Sequence, residues 1–185
     1  MIRAWGGVPA LALLLVVAAR AAPTGSPNAH YHYQIGARAG AAKSFARQLH
    51  FEAVGPGLLH VDLAAVNASD LERLAGEIAH WVDAAEAAGE ESGESSRIRA
   101  QLAAMRGEAI DAGRRAGDLR ARLEAMSVAT AAPESGERLR TAEVARSLYW
   151  TFASVLRAHK EAETALGIPV PEEPPAPESA ENPRG

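Results

Sequence analysis

The chain has 185 residues with 23 acidic and 19 basic side chains, so it lacks the positive charge by which nucleic acids and anionic membranes attract proteins. Hydrophobic residues make up 48% and aromatic residues only 5%, and alanine is the main apolar residue, which favours closely packed helices over a β-sandwich. The absence of cysteine excludes a disulfide scaffold and a lipoprotein anchored through cysteine.

The first 21 residues have the three-part pattern of a secretory signal peptide. Arg3 supplies a positive charge, residues 8–19 form an apolar segment, and small residues at positions 19 and 21 predict cleavage after Ala21. The apolar segment is shorter than the roughly 20 residues that span a bilayer. We therefore expect a periplasmic or extracellular (secreted) protein without stable membrane insertion after the signal is removed.

Residues 22–34 are predicted to form a flexible, exposed arm in front of a helical domain over residues 35–166. The arm contains His30 and His32 in an H-x-H pattern, which can bind copper, nickel or zinc through imidazole nitrogen. An ordinary polar arm is the favoured interpretation, since no cysteine or methionine lies near to complete a set of ligands.

The first half of the domain is predicted to hold two helices. A first helix is expected from about residue 37 to 53. The segment 58–66 fits either a short strand or a helix, and a helix is favoured because no second strand exists to pair with it. A second helix is expected to begin at Ser69, where Ser69 and Glu72 match a capping box. An acidic loop over residues 89–96 is expected to end it.

The second half of the domain has two apolar stripes with alternating steps of three and four residues, which predict a long antiparallel helical hairpin with coiled-coil-like packing. The third helix has its stripe at Ile98, Leu102, Met105, Ala109, Ala112, Ala116, Leu119, Leu123 and Met126. The fourth, expected over residues 137–166, has its stripe at Ala145, Leu148, Phe152, Val155, His159, Ala162 and Leu166. The fold class is therefore an all-α antiparallel bundle of three to four helices.

Small residues occupy the middle of the third helix, including Gly113 and Gly117 beside its stripe. We expect them either to let helices approach closely or to leave room for the aromatic side chains of the fourth helix, Tyr149, Trp150 and Phe152. After that helix, Gly167 is well placed to end it. Residues 167–185 are rich in proline and glutamate and are expected to form a disordered tail, with a P-x-x-P spacing from Pro171.

His159 is the one imidazole on a predicted core stripe. It could bind a metal or haem together with a partner from another helix, such as His80, Met105 or Met126. A buried histidine that is hydrogen-bonded to a carbonyl or a glutamate is the favoured alternative.

A small exported bundle with a histidine late in its last helix resembles the cytochrome c′ and b562 type. The resemblance stops at the ligands, because residues 155–159 lack the cysteines of a C-x-x-C-H motif and the first helix lacks a methionine. The hydrophobic pattern of residues 58–86 and 146–160 also resembles periplasmic helical domains attached to heavy-metal efflux systems. No site residue follows from that pattern.

No motif for a catalytic serine, a zinc protease or a phosphate-binding loop is present, and the pairs Glu72/Glu77 and Glu161/Glu163 are expected to be solvated. We therefore expect an exported, non-enzymatic bundle without a cofactor, acting as a binding or structural module. Its partner would be an envelope protein or another copy of itself. The alternative is a periplasmic metal- or haem-binding bundle that uses His159 with His30 and His32 to hold copper or zinc.

Overall fold

The computed structural model describes residues 28–56, 59–93, 95–128 and 135–168. These residues form four helices, α1 (Ala29–Val54), α2 (Val61–Ser92), α3 (Ser96–Val128) and α4 (Ser135–Ala165). The described ranges contain no strand, which confirms the all-α bundle and the choice of a helix from Val61 onward. The predicted signal peptide and the tail beyond residue 168 lie outside the described residues. None of the described helices has an apolar stretch that could cross a membrane.

Each helix packs against two neighbours, so that the four form a closed ring in the order α1, α2, α3, α4. Polar pairs between α3 and α4 give the direction of these helices. Gln101 donates a hydrogen bond to Glu161, and Arg115, further along α3, donates to Ser147, which comes earlier on α4. The other neighbouring pairs show the same reversal, so the bundle is antiparallel throughout.

The predicted stripes of α3 and α4 form the core. On α3 eight of the nine stripe residues are buried and Met126, at the end, is half-buried; on α4 all are buried except the terminal Leu166. α1 supplies a stripe dominated by alanine, with Ile35 and Leu49 as its large apolar members. Both long stripes are thus satisfied within one chain.

The small residues of α3 serve the contact with α2, which is the most extensive contact of α3. A Cβ atom added at Gly113 would lie 3.3 Å from the Cβ of Ala75. A Cβ at Gly117 would lie 3.0 Å from Oε1 of Glu72, whose other oxygen accepts a hydrogen bond from Arg120 at 2.9 Å. The two glycines therefore give close approach and room for an interhelical ion pair.

The alternative role of these small residues, as space for the aromatic rings of α4, is wrong for Trp150. The Trp150 side chain is 61% exposed, and Tyr149 is half-buried beside Lys43 of α1. Only Phe152 lies fully in the core. The reason is helical geometry, since residues 150 and 152 lie on nearly opposite sides of a helix.

Three predicted boundaries are corrected by the structure. The prediction of an exposed arm is wrong from Ala29 onward, because α1 begins there and His32 and Ile35, both 0% exposed, belong to its buried stripe. The prediction that Ser69 and Glu72 cap the start of the second helix is wrong, because α2 already begins at Val61 and Ser69 is an exposed residue within it. The loop at residues 89–96 is shorter than predicted, because α2 continues to Ser92.

Two glycines with positive φ end helices. Gly93 follows α2 with φ 73°, and Gly167 follows α4 with φ 68°, both in the left-handed region that glycine adopts without a steric cost. The backbone N–H of Ile168 donates a hydrogen bond to the carbonyl of Glu163 at 2.9 Å, so this carbonyl in the last turn of α4 has a partner. The predicted role of Gly167 is therefore confirmed.

We predict that Ala112→Leu lowers the free energy of unfolding by about 1–3 kcal/mol, because a larger side chain at a filled position forces neighbouring helices apart. Ala112 is 0% exposed. Ala103→Leu, at an exposed position of the same helix, is the matched control and should change stability by less than about 0.5 kcal/mol. Urea unfolding followed by circular dichroism measures both, and equal effects would contradict close packing at Ala112.

Candidate functional site

A buried polar cluster lies at the end of the bundle where α1 begins and α4 ends. It contains His32 from α1 and His159 and Glu163 from α4, none of them more than 8% exposed. The two imidazole ring centroids are 5.7 Å apart. His159 Nε2 donates a hydrogen bond to the backbone carbonyl of His32 at 2.6 Å, and Glu163 Oε1 lies 3.5 Å from the same nitrogen.

Gly36 makes room for His159. It lies one turn after His32 on α1, and a Cβ atom there would be 2.8 Å from Cε1 of His159, closer than real side chains approach. The histidine ring thus packs on bare backbone, which brings Nε2 within reach of the His32 carbonyl. His159 is both a packing residue and a hydrogen-bond donor between the first and last helices.

Burial sets the protonation of the cluster. Loss of solvent, together with the like charge of the nearby His159, lowers the pKa of His32 to about 4. Loss of solvent also lowers the pKa of His159 to about 4, against the hydrogen bond to the His32 carbonyl, which raises it. Burial raises the pKa of Glu163. Both imidazoles are therefore neutral at pH 7.

His32 is the unusual member of this cluster. Neither of its ring nitrogens has a hydrogen-bond partner among the described residues, although the side chain is 0% exposed. A neutral imidazole has one donor and one acceptor, and each buried group without a partner costs roughly 1–3 kcal/mol. The acceptor nitrogen of the neutral His32 ring thus has an unused lone pair in the interior, and this feature of the cluster points to a ligand.

The structure brings together only two of the three predicted metal ligands. His30 is exposed and packs edge-on against Trp81, with ring centroids 5.6 Å apart, away from the buried pair. Of the proposed partners of His159, His80 is exposed and Met105 is buried in the apolar core. Met126 lies near the C-terminal end of α3, whereas the segment of α4 that contains His159 lies beside the N-terminal end of α3. Within the described ranges, no three His, Asp or Glu side chains are grouped so that they could hold a metal ion.

Glu163 was missed as a member of the cluster, since it was expected to be solvated. Its spacing of four residues from His159 places it on the same face of α4, and that was the available signal. Glu72 and Glu77 are partly exposed, with 42% and 34% of their side chains accessible, but they are not free in solvent. These residues form ion pairs between helices, with Arg120 and Arg38 respectively.

A second candidate is an open groove between α1 and α4, which we call the aromatic–basic groove. Its volume is about 490 Å³. It is lined by Arg47, His50 and Phe51 of α1 and by Arg146, Tyr149 and Trp150 of α4. A hydrogen bond between His50 Nδ1 and the carbonyl oxygen of Ala142, 3.0 Å long, joins the two walls.

Aromatic rings and cations alternate along this groove. Lys43 lies 5.3 Å from the ring centroid of Tyr149, and the guanidinium of Arg47 lies 5.4 Å from that of Phe51. Phe51 is 56% and Trp150 61% exposed, and no acidic side chain is among the lining residues of the described walls. Exposed aromatic side chains beside arginine are typical of binding surfaces.

The chain was compared with protein families, curated proteins and solved structures, and none of the three comparisons gave a match.

We predict opposite effects for two glycine substitutions on α1. Gly36→Ala should lower the free energy of unfolding, because its Cβ would collide with His159. Gly40→Ala, the matched control one turn later, faces open space and should raise stability by up to about 1 kcal/mol. In a His159→Ala background, Gly36→Ala should become neutral or stabilising. Urea unfolding of the four variants measures the coupling, and additive effects would contradict the contact.

We also predict that the protein loses stability as the pH falls from 6.5 to 4. In this window the unfolded histidines bind protons that the buried ones exclude, so the free energy of unfolding falls by up to about 3 kcal/mol for each histidine. Glu163, with its raised pKa, acts in the opposite direction at the acid end of the window.

His32→Leu tests this assignment. It removes the two unpaired nitrogens, so it should raise stability at pH 7 by about 1–3 kcal/mol and flatten the pH dependence. Urea unfolding at a series of pH values measures both effects. An unchanged pH slope in this variant would show that His32 titrates normally.

Proposed function

We propose that this protein is an exported, non-enzymatic four-helix bundle that acts as a binding module, and that the aromatic–basic groove is its binding surface. The exposure of Trp150 beside Phe51 carries the proposal. An apolar ring that is left in water at the wall of a groove gains free energy when a partner covers it. The partner is an envelope protein or a second copy of the chain.

The burial of the long stripes supports the choice of this groove. The stripes on α3 and α4 are covered by other helices of the same chain, so they do not need a partner. Arg47, Arg146 and Lys43 add positive charge to a chain whose net charge is −4. Such local charge favours acidic surfaces and steers association.

Site-specific photocrosslinking in the native host tests the proposal. A photoreactive phenylalanine analogue at position 150 should give an adduct with another protein or with a second copy of the chain. The same analogue at position 110 is the matched control, because Ile110 is 53% exposed on α3, away from the groove.

Adducts at position 150 but not at 110 would support the groove, and mass spectrometry would identify the partner. Adducts at both positions or at neither would contradict it. Size-exclusion chromatography with light scattering decides whether the partner is a second copy, since the mass would then rise with protein concentration and fall back in Trp150→Ser.

A second candidate function is binding of copper or zinc by His32 and His159, and the unpaired nitrogens of His32 favour it. Two imidazoles on one tetrahedral zinc ion, with Zn–N bonds of about 2.0–2.1 Å, have ring centroids roughly 5 Å apart. The observed separation is 5.7 Å. His159 would have to bind through Nδ1 or release the carbonyl of His32. Glu163 is the nearest carboxyl group.

Isothermal titration with Zn²⁺ and with Cu²⁺ tests this candidate. Binding should be lost in His32→Leu and kept in His30→Ala, which is the matched control because His30 lies outside the cluster. Loss in His30→Ala alone would assign the metal to the exposed histidine. The absence of any heat of binding in the parent protein would exclude the metal-binding function.

A further inference from the structure

The groove and the C-terminal segment have complementary chemistry. The segment from residue 169 to 185 contains six prolines and four glutamates against one arginine. The groove supplies three exposed or half-buried aromatic rings and three cations. Proline-rich segments favour a polyproline II conformation and dock against aromatic side chains, and flanking charges set the orientation.

The length of the segment matches its distance from the groove. Trp150 lies 16 residues before Leu166 on α4, which corresponds to about 24 Å along a helix. At about 3.1 Å per residue in a polyproline II conformation, the prolines at 174, 175 and 177 lie roughly 19–28 Å from Ile168. A segment that turns back along α4 therefore brings its proline cluster level with Trp150.

Two arginines on this path are placed to meet glutamates of the segment. Arg157, Trp150 and Arg146 are all exposed, and steps of seven and four residues place them on one outward face of α4. On the same scale, Glu172 and Glu173 come level with Arg157, whereas Glu178 comes level with Arg146. Glu143 and Glu161 are exposed on the same face, each about 20° around the helix from Trp150, and the carboxylate of Glu161 accepts a hydrogen bond from Gln101 of α3.

We propose that residues 169–178 dock along the outward face of α4 of their own chain, with the prolines on Trp150 and Tyr149 and the glutamates beside Arg157 and Arg146. This inference rests on the proposed function, because it uses the same groove. It adds that the groove takes an acidic, proline-rich peptide. An external partner has to displace the segment, which is present at high effective concentration because it is tethered.

Tryptophan fluorescence tests the proposal. The protein lacking the predicted signal peptide has two tryptophans, so Trp81→Phe leaves Trp150 as the reporter. Replacing Glu172, Glu173 and Glu178 by Lys in this background should expose Trp150, with a red-shifted emission and about twofold stronger quenching by acrylamide as the peptide leaves the aromatic rings. About 0.5 M NaCl should act in the same direction, because salt screens the ion pairs.

The reverse reporter, Trp150→Phe with Trp81 retained, is the matched control and should not respond to the same substitutions. Equal quenching of Trp150 in the parent and the Lys variant would overturn the proposal. Protection that increases with protein concentration would also overturn it, because the segment would then dock on another chain. Photocrosslinking to a partner at position 150 would still be seen in either case if the groove binds an external protein, so failure of the two proposals can be distinguished.

Discussion

Close approach of the helices is the constraint on which the rest of this structure depends. The α1 stripe is mostly alanine, and the middle of the α3 stripe is three alanines in succession. Such residues bury little area each, so dispersion contacts between near backbones must supply the cohesion. Glycine allows the same close approach where a polar side chain lies between two helices. The His159 ring packs against the backbone at Gly36, and the Glu72 carboxylate packs against the backbone at Gly117. Along α1 and the middle of α3, close approach of the backbones thus has a larger part in the packing than large apolar side chains.

The positions of the large and polar side chains relative to these helix contacts define the two candidate sites. Phe152 lies on the inward side of α4 and is buried, whereas Trp150 and Phe51 lie on outward sides of their helices and remain in water. The two buried histidines are informative, because each occupies a position that an aliphatic residue would fill at lower cost. The exposed rings form the aromatic–basic groove, and the buried imidazoles form the cluster at the end of the bundle.

The periodicity of the sequence predicted the long helices well, since the stripes of α3 and α4 depend only on local spacing. It failed where a polar residue occupied a buried position. His32 was assigned to an exposed arm, although it continues the α1 stripe, and Glu163 was assigned to solvent, although it lies beside His159. The neighbours of α3 could not be predicted, because a stripe indicates that a face is buried but not which helix covers it. The pairing of Gly113 with Ala75 rather than with α4 required the tertiary structure.

The contact of α1 with α4 has a consequence for the folding of this protein. The other helix contacts join consecutive helices, whereas this one joins the first to the last and is more extensive than that between α3 and α4. Closing it costs the most chain entropy, so it is expected to form late, after the local helical hairpins. The hydrogen bond between His159 and His32 spans 127 positions in sequence, and the groove has one wall on each of the same two helices. Partly folded chains are therefore expected to have neither the buried histidine cluster nor the groove.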